Sequence, residues 1–114
     1  MLRSLRLVIV GFYALLALSA PAVAGTILGN ERNCVSLANS AIMMGMIKES
    51  SPGRSWSGPG GIEPELREAV QEAIGSPNTY ISDQEDADLV MRAMYLVWEF
   101  GASPDEILEA CLRG

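Results

Sequence analysis

Residues 82–100, SDQEDADLVMRAMYLVWEF, decide the fold of this chain. The segment opens with Ser82 and, three residues later, Glu85, a spacing that lets two side chains satisfy backbone amides at a helix start. Beyond residue 88 only Arg92 and Glu99 are charged. A helix that is apolar nearly all round is typical of the centre of a domain. The segment therefore predicts a buried central helix.

Three further helices are indicated around this one. Asn30 is a suitable N-cap for the first. Pro64 at the first helical position, with Gly75 past the end, predicts the second. Ser103-Pro104-Asp105-Glu106 begins the last with a serine cap, a proline and a capping glutamate. We expect an all-α, four-helix domain, with helices over about residues 31–48, 64–74, 83–100 and 104–113.

Apolar residues at helical spacing predict the faces that these helices bury. The predicted inward residues are Cys34, Leu37, Ala38, Ala41, Ile42 and Gly45 on the first helix; Ile62, Leu66, Val70, Ala73 and Ile74 on the second; and Ile107, Leu108, Cys111 and Leu112 on the last.

The first 24 residues are typical of a cleaved export signal. Arg3 and Arg6 precede an uncharged run, residues 7–18, and Ala22-Val23-Ala24 provides small residues for a peptidase. A membrane anchor is the competing interpretation, but it needs roughly 20 apolar residues, and Pro21 ends the run early. We expect cleavage after Ala24, no stable membrane insertion after it, and a single periplasmic or secreted domain over residues 25–114.

The charge balance limits the partners of that domain. The chain has 14 acidic and eight basic residues. Because Arg3 and Arg6 lie in the signal, residues 25–114 carry 14 acidic and six basic residues, a formal charge of −8. Such a surface repels nucleic acid and anionic membranes, so nucleic acid is not an expected partner.

The two cysteines, Cys34 and Cys111, predict a disulfide. An even pair in a small exported domain is usually bridged. Closing so long a loop would stabilise the fold by about 4–5 kcal/mol on a chain-entropy model. The alternatives are two buried thiols or a redox couple, although redox cysteines usually lie close in sequence, as Cys-x-x-Cys.

No residue type points to catalysis. The chain has no histidine, which removes the commonest general base and metal ligand. The Gly-Pro-Gly-Gly run at residues 58–61 lacks the lysine of a phosphate-binding loop. We expect no enzyme activity, no catalytic residue and no cofactor, with carboxylate-only catalysis as the minor alternative.

Two clusters suggest metal sites and have simpler explanations. Asp83, Glu85, Asp86 and Asp88 suggest calcium, but the pattern departs from an EF-hand, and acids favour helix N-termini anyway. The pairs Met43/Met46 and Met91/Met94 could bind Cu(I) if they faced each other. Methionines more often fill a core or provide an adaptable surface, so no metal site is predicted.

Residues 50–61, SSPGRSWSGPGG, predict a long irregular loop. Loops of this length in compact domains are usually functional or flexible. Trp56 and its neighbour Arg54 are residue types that dominate interface hot spots. They are the candidate partner-binding residues, and the alternative is that Trp56 folds back over the domain.

A cysteine on an alanine-rich helix (Cys34 to Ala41) and a second cysteine on a Ser-Pro-capped helix (Ser103 to Cys111) resemble a loose group of small exported bacterial proteins. In architecture the chain is also similar to periplasmic acid-stress chaperones and to immunity proteins against type VI secretion amidases. The latter have a segment like Leu66-Arg-Glu-Ala-Val70.

Three functions follow as expectations. The first is a non-catalytic module that binds another exported protein through the Trp56 loop. The second is an acid-stress chaperone, whose charge would move from −8 towards +6 as the carboxylates protonate. The third is an immunity or inhibitor protein against an exported toxin enzyme. The sequence leaves the oligomeric state open.

Overall fold

The computed structural model describes residues 25–114, and the predicted export signal lies outside them. The described chain forms four α-helices without strands, as predicted: α1 (Glu31–Glu49), α2 (Ile62–Ala73), α3 (Gln84–Phe100) and α4 (Pro104–Arg113). Helix α1 packs against α3 and α4, and α2 packs against α3. In the described part of the chain, no helix is both long and apolar enough to cross a membrane.

Helix α3 is the central element, as the sequence predicts. Its buried residues are Asp86, Ala87, Leu89, Val90, Met91, Ala93, Met94, Val97 and Trp98. Only Asp86 among them is charged. Gly101 ends the helix with a positive φ of 69°, a conformation that glycine adopts without steric cost.

The cap of α3 is one residue later than predicted. Asp83, not Ser82, is the N-cap, and its carboxylate accepts a hydrogen bond from the backbone nitrogen of Asp86 at 2.9 Å. Ser82 precedes the cap, and its own backbone nitrogen donates to the Asp86 carboxylate at 2.9 Å. The predicted capping of the helix by Ser82 and Glu85 is therefore wrong.

The predicted start of α2 at Pro64 is late by two residues, because loop carbonyls satisfy the first amides of the helix. The nitrogen of Ile62 donates to the carbonyl of Ser55 at 3.1 Å, and that of Glu63 to the carbonyl of Trp56 at 2.8 Å. Pro64 has no amide hydrogen and still fits the first turn, where intrahelical bonds are absent.

Helix α4 begins as predicted. The hydroxyl of Ser103 accepts from the nitrogen of Glu106 at 3.1 Å, and the Glu106 carboxylate accepts from the nitrogen of Ser103 at 2.8 Å. Pro104 occupies the first turn. Both orphan amides are therefore satisfied by local sequence alone.

Two residues predicted to face inward do not. Cys34, Leu37, Ala41 and Met44 form the buried face of α1 at alternating spacings of three and four residues. Ile42 directly follows Ala41, so it points about 100° away and is 47% exposed. On α4, Leu112 directly follows buried Cys111 and is 44% exposed for the same reason.

The disulfide between Cys34 and Cys111 is present and joins α1 to α4. The two Cα atoms are 5.6 Å apart although 77 residues separate them in sequence. Both sulfurs contact the carbonyl oxygen of Ile27, a residue with no exposed surface. The nitrogen of Gly29 donates to the carbonyl of Cys111 at 2.9 Å. The segment before α1 is thereby packed against the bridge.

Candidate functional site

The long loop is ordered by hydrogen bonds within itself and to α2. Arg54 donates to the carbonyls of Gly60 at 2.9 Å and Gly61 at 3.2 Å, and it pairs with the carboxylate of Glu65 at 2.7 Å. The side chain of Arg54 is 26% exposed. Arg54, which the sequence suggested as a partner-binding residue, therefore uses these hydrogen bonds to hold the loop against the start of α2.

Trp56, a residue of the same loop, lies half-buried against the core. Its ring meets that of Tyr95 edge to face, with centroids 5.5 Å apart. Its carbonyl caps α2, and this close approach requires a glycine at position 61. A Cβ there would lie 2.6 Å from the Trp56 carbonyl oxygen and 2.8 Å from the backbone of Ser57. Trp56 therefore folds back over the domain, which is the alternative that the sequence had left open.

Two aromatic residues of α3 extend the surface that Trp56 begins. Tyr95, 39% exposed, contacts both Trp56 and Phe100. The centroids of Tyr95 and Phe100 are 5.8 Å apart, and these rings are again edge to face. Phe100 is 70% exposed. We call Trp56, Tyr95 and Phe100 the aromatic surface.

Sequence reasoning missed Tyr95 and Phe100 because it treated residues 89–100 as buried throughout. One signal was available for Phe100: it is the last helical residue before Gly101, and helix ends often lie at the surface. The contact between Tyr95 and Trp56 could not be predicted from helical spacing, because the two residues are distant in sequence.

Lys48 links the end of α1 to α3. Its ammonium donates a hydrogen bond to the carbonyl of Trp98 and lies 5.7 Å from the centre of the Trp98 indole ring. Trp98 itself is 2% exposed. The lysine therefore satisfies a carbonyl near the C-terminus of α3, where a cation is favoured by the helix dipole.

Asp83, Asp86 and Asp88, at the start of α3, make contacts within the protein. Asp83 caps the helix, Asp88 accepts from Gln84 at 2.9 Å, and Asp86 is 1% exposed and turned into the protein. Within residues 25–114, no three acidic or cysteine side chains converge as metal ligands would. Asp83 thus serves as a cap, and Asp86 anchors the segment before α1.

The methionine pairs are not brought together. Met43 and Met46 are each 63% exposed on the outer face of α1, whereas Met91 and Met94 are buried in the core. The two pairs therefore share no site, and the copper hypothesis loses the facing arrangement on which it depended.

Tyr80 connects the segment before α3 to α1. Its hydroxyl and that of Ser40 lie 2.8 Å apart, a hydrogen bond between the two side chains. Burial raises the pKa of Tyr80 above its ordinary value, and the negative charge of Asp86 raises it further, while the Ser40 hydrogen bond acts in the opposite direction. A neutral phenol is therefore favoured here.

No family model, no curated protein and no solved structure matches the chain. The fold class is all-α with one disulfide, and such bridges are typical of proteins in oxidising, exported compartments.

Proposed function

We propose that this protein is a non-catalytic binding module of the exported compartment, and that it docks another exported protein on the aromatic surface. The observation that carries the proposal is Phe100, a large apolar side chain that is 70% exposed and whose ring packs edge to face with that of Tyr95. Aromatic anchors on a rigid support lose little conformational entropy on binding and are frequent interface hot spots.

The support beneath the surface matters as much as its exposure. Tyr95 belongs to the central helix, and Trp56 is fixed by the backbone bonds between its loop and α2. Arg54 contributes by holding that loop rather than by reaching outward. In this proposal Phe100 is the anchor, and Trp56 and Arg54 position the surface.

Site-specific photo-cross-linking in the producing cell tests the proposal. A photoreactive phenylalanine analogue in place of Phe100 is a near-isosteric probe at an exposed position. We expect it to yield one discrete cross-linked protein. The matched control places the analogue at Leu112, which is exposed on α4, and we expect no such product there. Equal products at both positions, or none at position 100, would contradict the proposal.

The identity of the captured protein separates two of the expected functions. A toxin enzyme would make this chain its immunity protein, whereas a host envelope protein would make it an accessory or assembly module. The cross-linked product thus identifies the class of partner, and the experiment requires no prior assumption about which protein binds.

An acid-stress chaperone is the second candidate, and the distribution of charge favours it. Helices α2 and α3 each carry four acidic residues and one basic residue, and α4 carries three and one. Protonation of these carboxylates would leave a strongly cationic domain that loosens by self-repulsion. Protection of an acid-denatured client at about pH 2–3, below most carboxylate pKa values, supports this candidate, and aggregation at the control rate rejects it.

A further inference from the structure

Helix α1 has a second apolar face, opposite the one that it buries in the core. This outer face exposes Val35 by 43%, Ile42 by 47%, and Met43 and Met46 by 63% each. Four large apolar side chains on one exposed side of a helix exceed the scattered apolar residues that ordinary surfaces carry. The outer face is distinct from the aromatic surface, which α3 and the loop provide.

The outer face has the spacing of a two-helix seam. Its residues follow one another at alternating intervals of three and four, the pattern with which two helices pack side by side. All of them are exposed: Arg32, Val35, Asn39, Ile42, Met46 and Glu49. The seam spans most of α1, which at 19 residues is roughly 28 Å long.

Charge indicates what covers this seam. Helix α1 is the one neutral helix of the described domain, with two acidic and two basic residues, whereas α2, α3 and α4 are all net negative. Two copies of so acidic a chain repel each other through most of their surfaces. The electrostatic repulsion between two copies is therefore lowest when they approach each other along α1.

The charged ends of the seam select the orientation. In an antiparallel pair, Val35 faces Met46 of the second copy, Asn39 faces its Ile42, and Arg32 faces its Glu49. The same pairing repeats by two-fold symmetry, which gives two oppositely charged pairs at the ends of the seam. Between them lie Val35, Ile42 and Met46 of each copy, together with the polar Asn39. A parallel pair would instead place Arg32 against Arg32 and Glu49 against Glu49. Like charges directly opposed across an interface are unfavourable.

We propose that the protein forms a homodimer in which the α1 helices of two copies pack antiparallel along this seam. A single helix pair is a small interface, so we expect a concentration-dependent dimer with a Kd on the order of micromolar. The aromatic surface lies outside the seam, so it remains available to another partner.

Sedimentation velocity of the disulfide-intact protein over a concentration series tests the dimer. Arg32→Glu alone, or Glu49→Arg alone, should weaken association by roughly tenfold, because each opposes like charges. The double variant should restore it. Arg32→Glu puts a negative charge near the N-terminus of α1, and Glu49→Arg puts a positive charge at its C-terminus, and the helix dipole favours both. A loss of association therefore cannot be attributed to an unstable α1.

Met46→Glu tests the apolar contacts of the seam in the same experiment and should abolish association. Phe100→Ser, outside the seam, is the control and should leave the dimer intact. A monomer at every concentration would overturn the proposal. So would association that Met46→Glu leaves unchanged, or a charge swap that does not restore it. Partner capture at Phe100 is read separately, so failure of the dimer and failure of the proposed function are distinguishable.

Discussion

Thr26 and Asp86, 60 residues apart in sequence, are joined by two hydrogen bonds. The Thr26 nitrogen donates to one carboxylate oxygen at 2.7 Å, and its hydroxyl donates to the other at 2.8 Å. A third donor, the nitrogen of Ser82, reaches the same carboxylate at 2.9 Å. Asp86 is 1% exposed, so a buried carboxyl group fastens the segment before α1 to the start of α3.

Removal of that carboxylate should destabilise the domain strongly. Asp86→Ala leaves three donors without their acceptor, and we expect a loss of about 2–3 kcal/mol in the free energy of unfolding. Urea denaturation measures it. Asp88→Ala, at an exposed position of the same helix, is the control and should cost under about 1 kcal/mol. Equal losses in the two variants would show that Asp86 does not fasten the segment.

The disulfide should contribute a large part of the stability. Replacing Cys34 and Cys111 by alanine together should lower the free energy of unfolding by about 2–5 kcal/mol, because the unfolded chain gains freedom. Chemical denaturation with and without a reductant measures the effect. The reductant should lower the stability of the wild type and leave the double variant unchanged, and an effect on both would point to a cause other than the bridge.

Two glycine substitutions should have opposite signs. At Gly61 a Cβ would collide with the backbone of Trp56 and Ser57, so Gly61→Ala should destabilise the protein and displace the loop. At Gly45, inside α1, a Cβ meets nothing within 4 Å, and Gly45→Ala should stabilise by about 0.5–1 kcal/mol. Thermal melting compares them. A Gly61→Ala variant that melts no lower than the wild type would contradict this account of the loop.

Alkaline pH should weaken the fold through Tyr80. Its pKa in the folded state is raised by burial, so the unfolded chain releases this proton first. The stability that the neutral phenol provides is present below about pH 10, the ordinary tyrosine pKa, and is lost as the pH rises through the folded value. Unfolding free energies between about pH 8 and 11 measure this. Tyr80→Phe should flatten the dependence, and an unchanged slope would exclude Tyr80 as its source.

The fold was predictable where local chemistry decides it. The start of α4 depends on Ser103, Pro104 and Glu106, which act on one another within one turn, and the structure has the predicted boundary. The start of α2 was not predictable in this way. It depends on carbonyls of Ser55 and Trp56, whose position results from the conformation of the whole loop.

The surface was less predictable than the core. Trp56 attracted attention as an unusual residue in a polar loop, but its contact with Tyr95 is a tertiary one that no spacing reveals. Ile42 was expected inside because apolar residues occupy more than one face of α1. When two faces of a helix are apolar, periodicity does not determine which of them is buried. In α1 the buried face is the one that packs against α3 and α4.

The affinity of the cross-linked partner for the wild-type protein and for Phe100→Ser tests the central claim most directly. Within residues 25–114, Phe100 is the most exposed of the large hydrophobic residues, so its replacement should leave the melting temperature nearly unchanged. We expect binding to weaken by at least about tenfold, as for a hot-spot aromatic. Equal affinity of the two proteins would contradict a docking role for the aromatic surface.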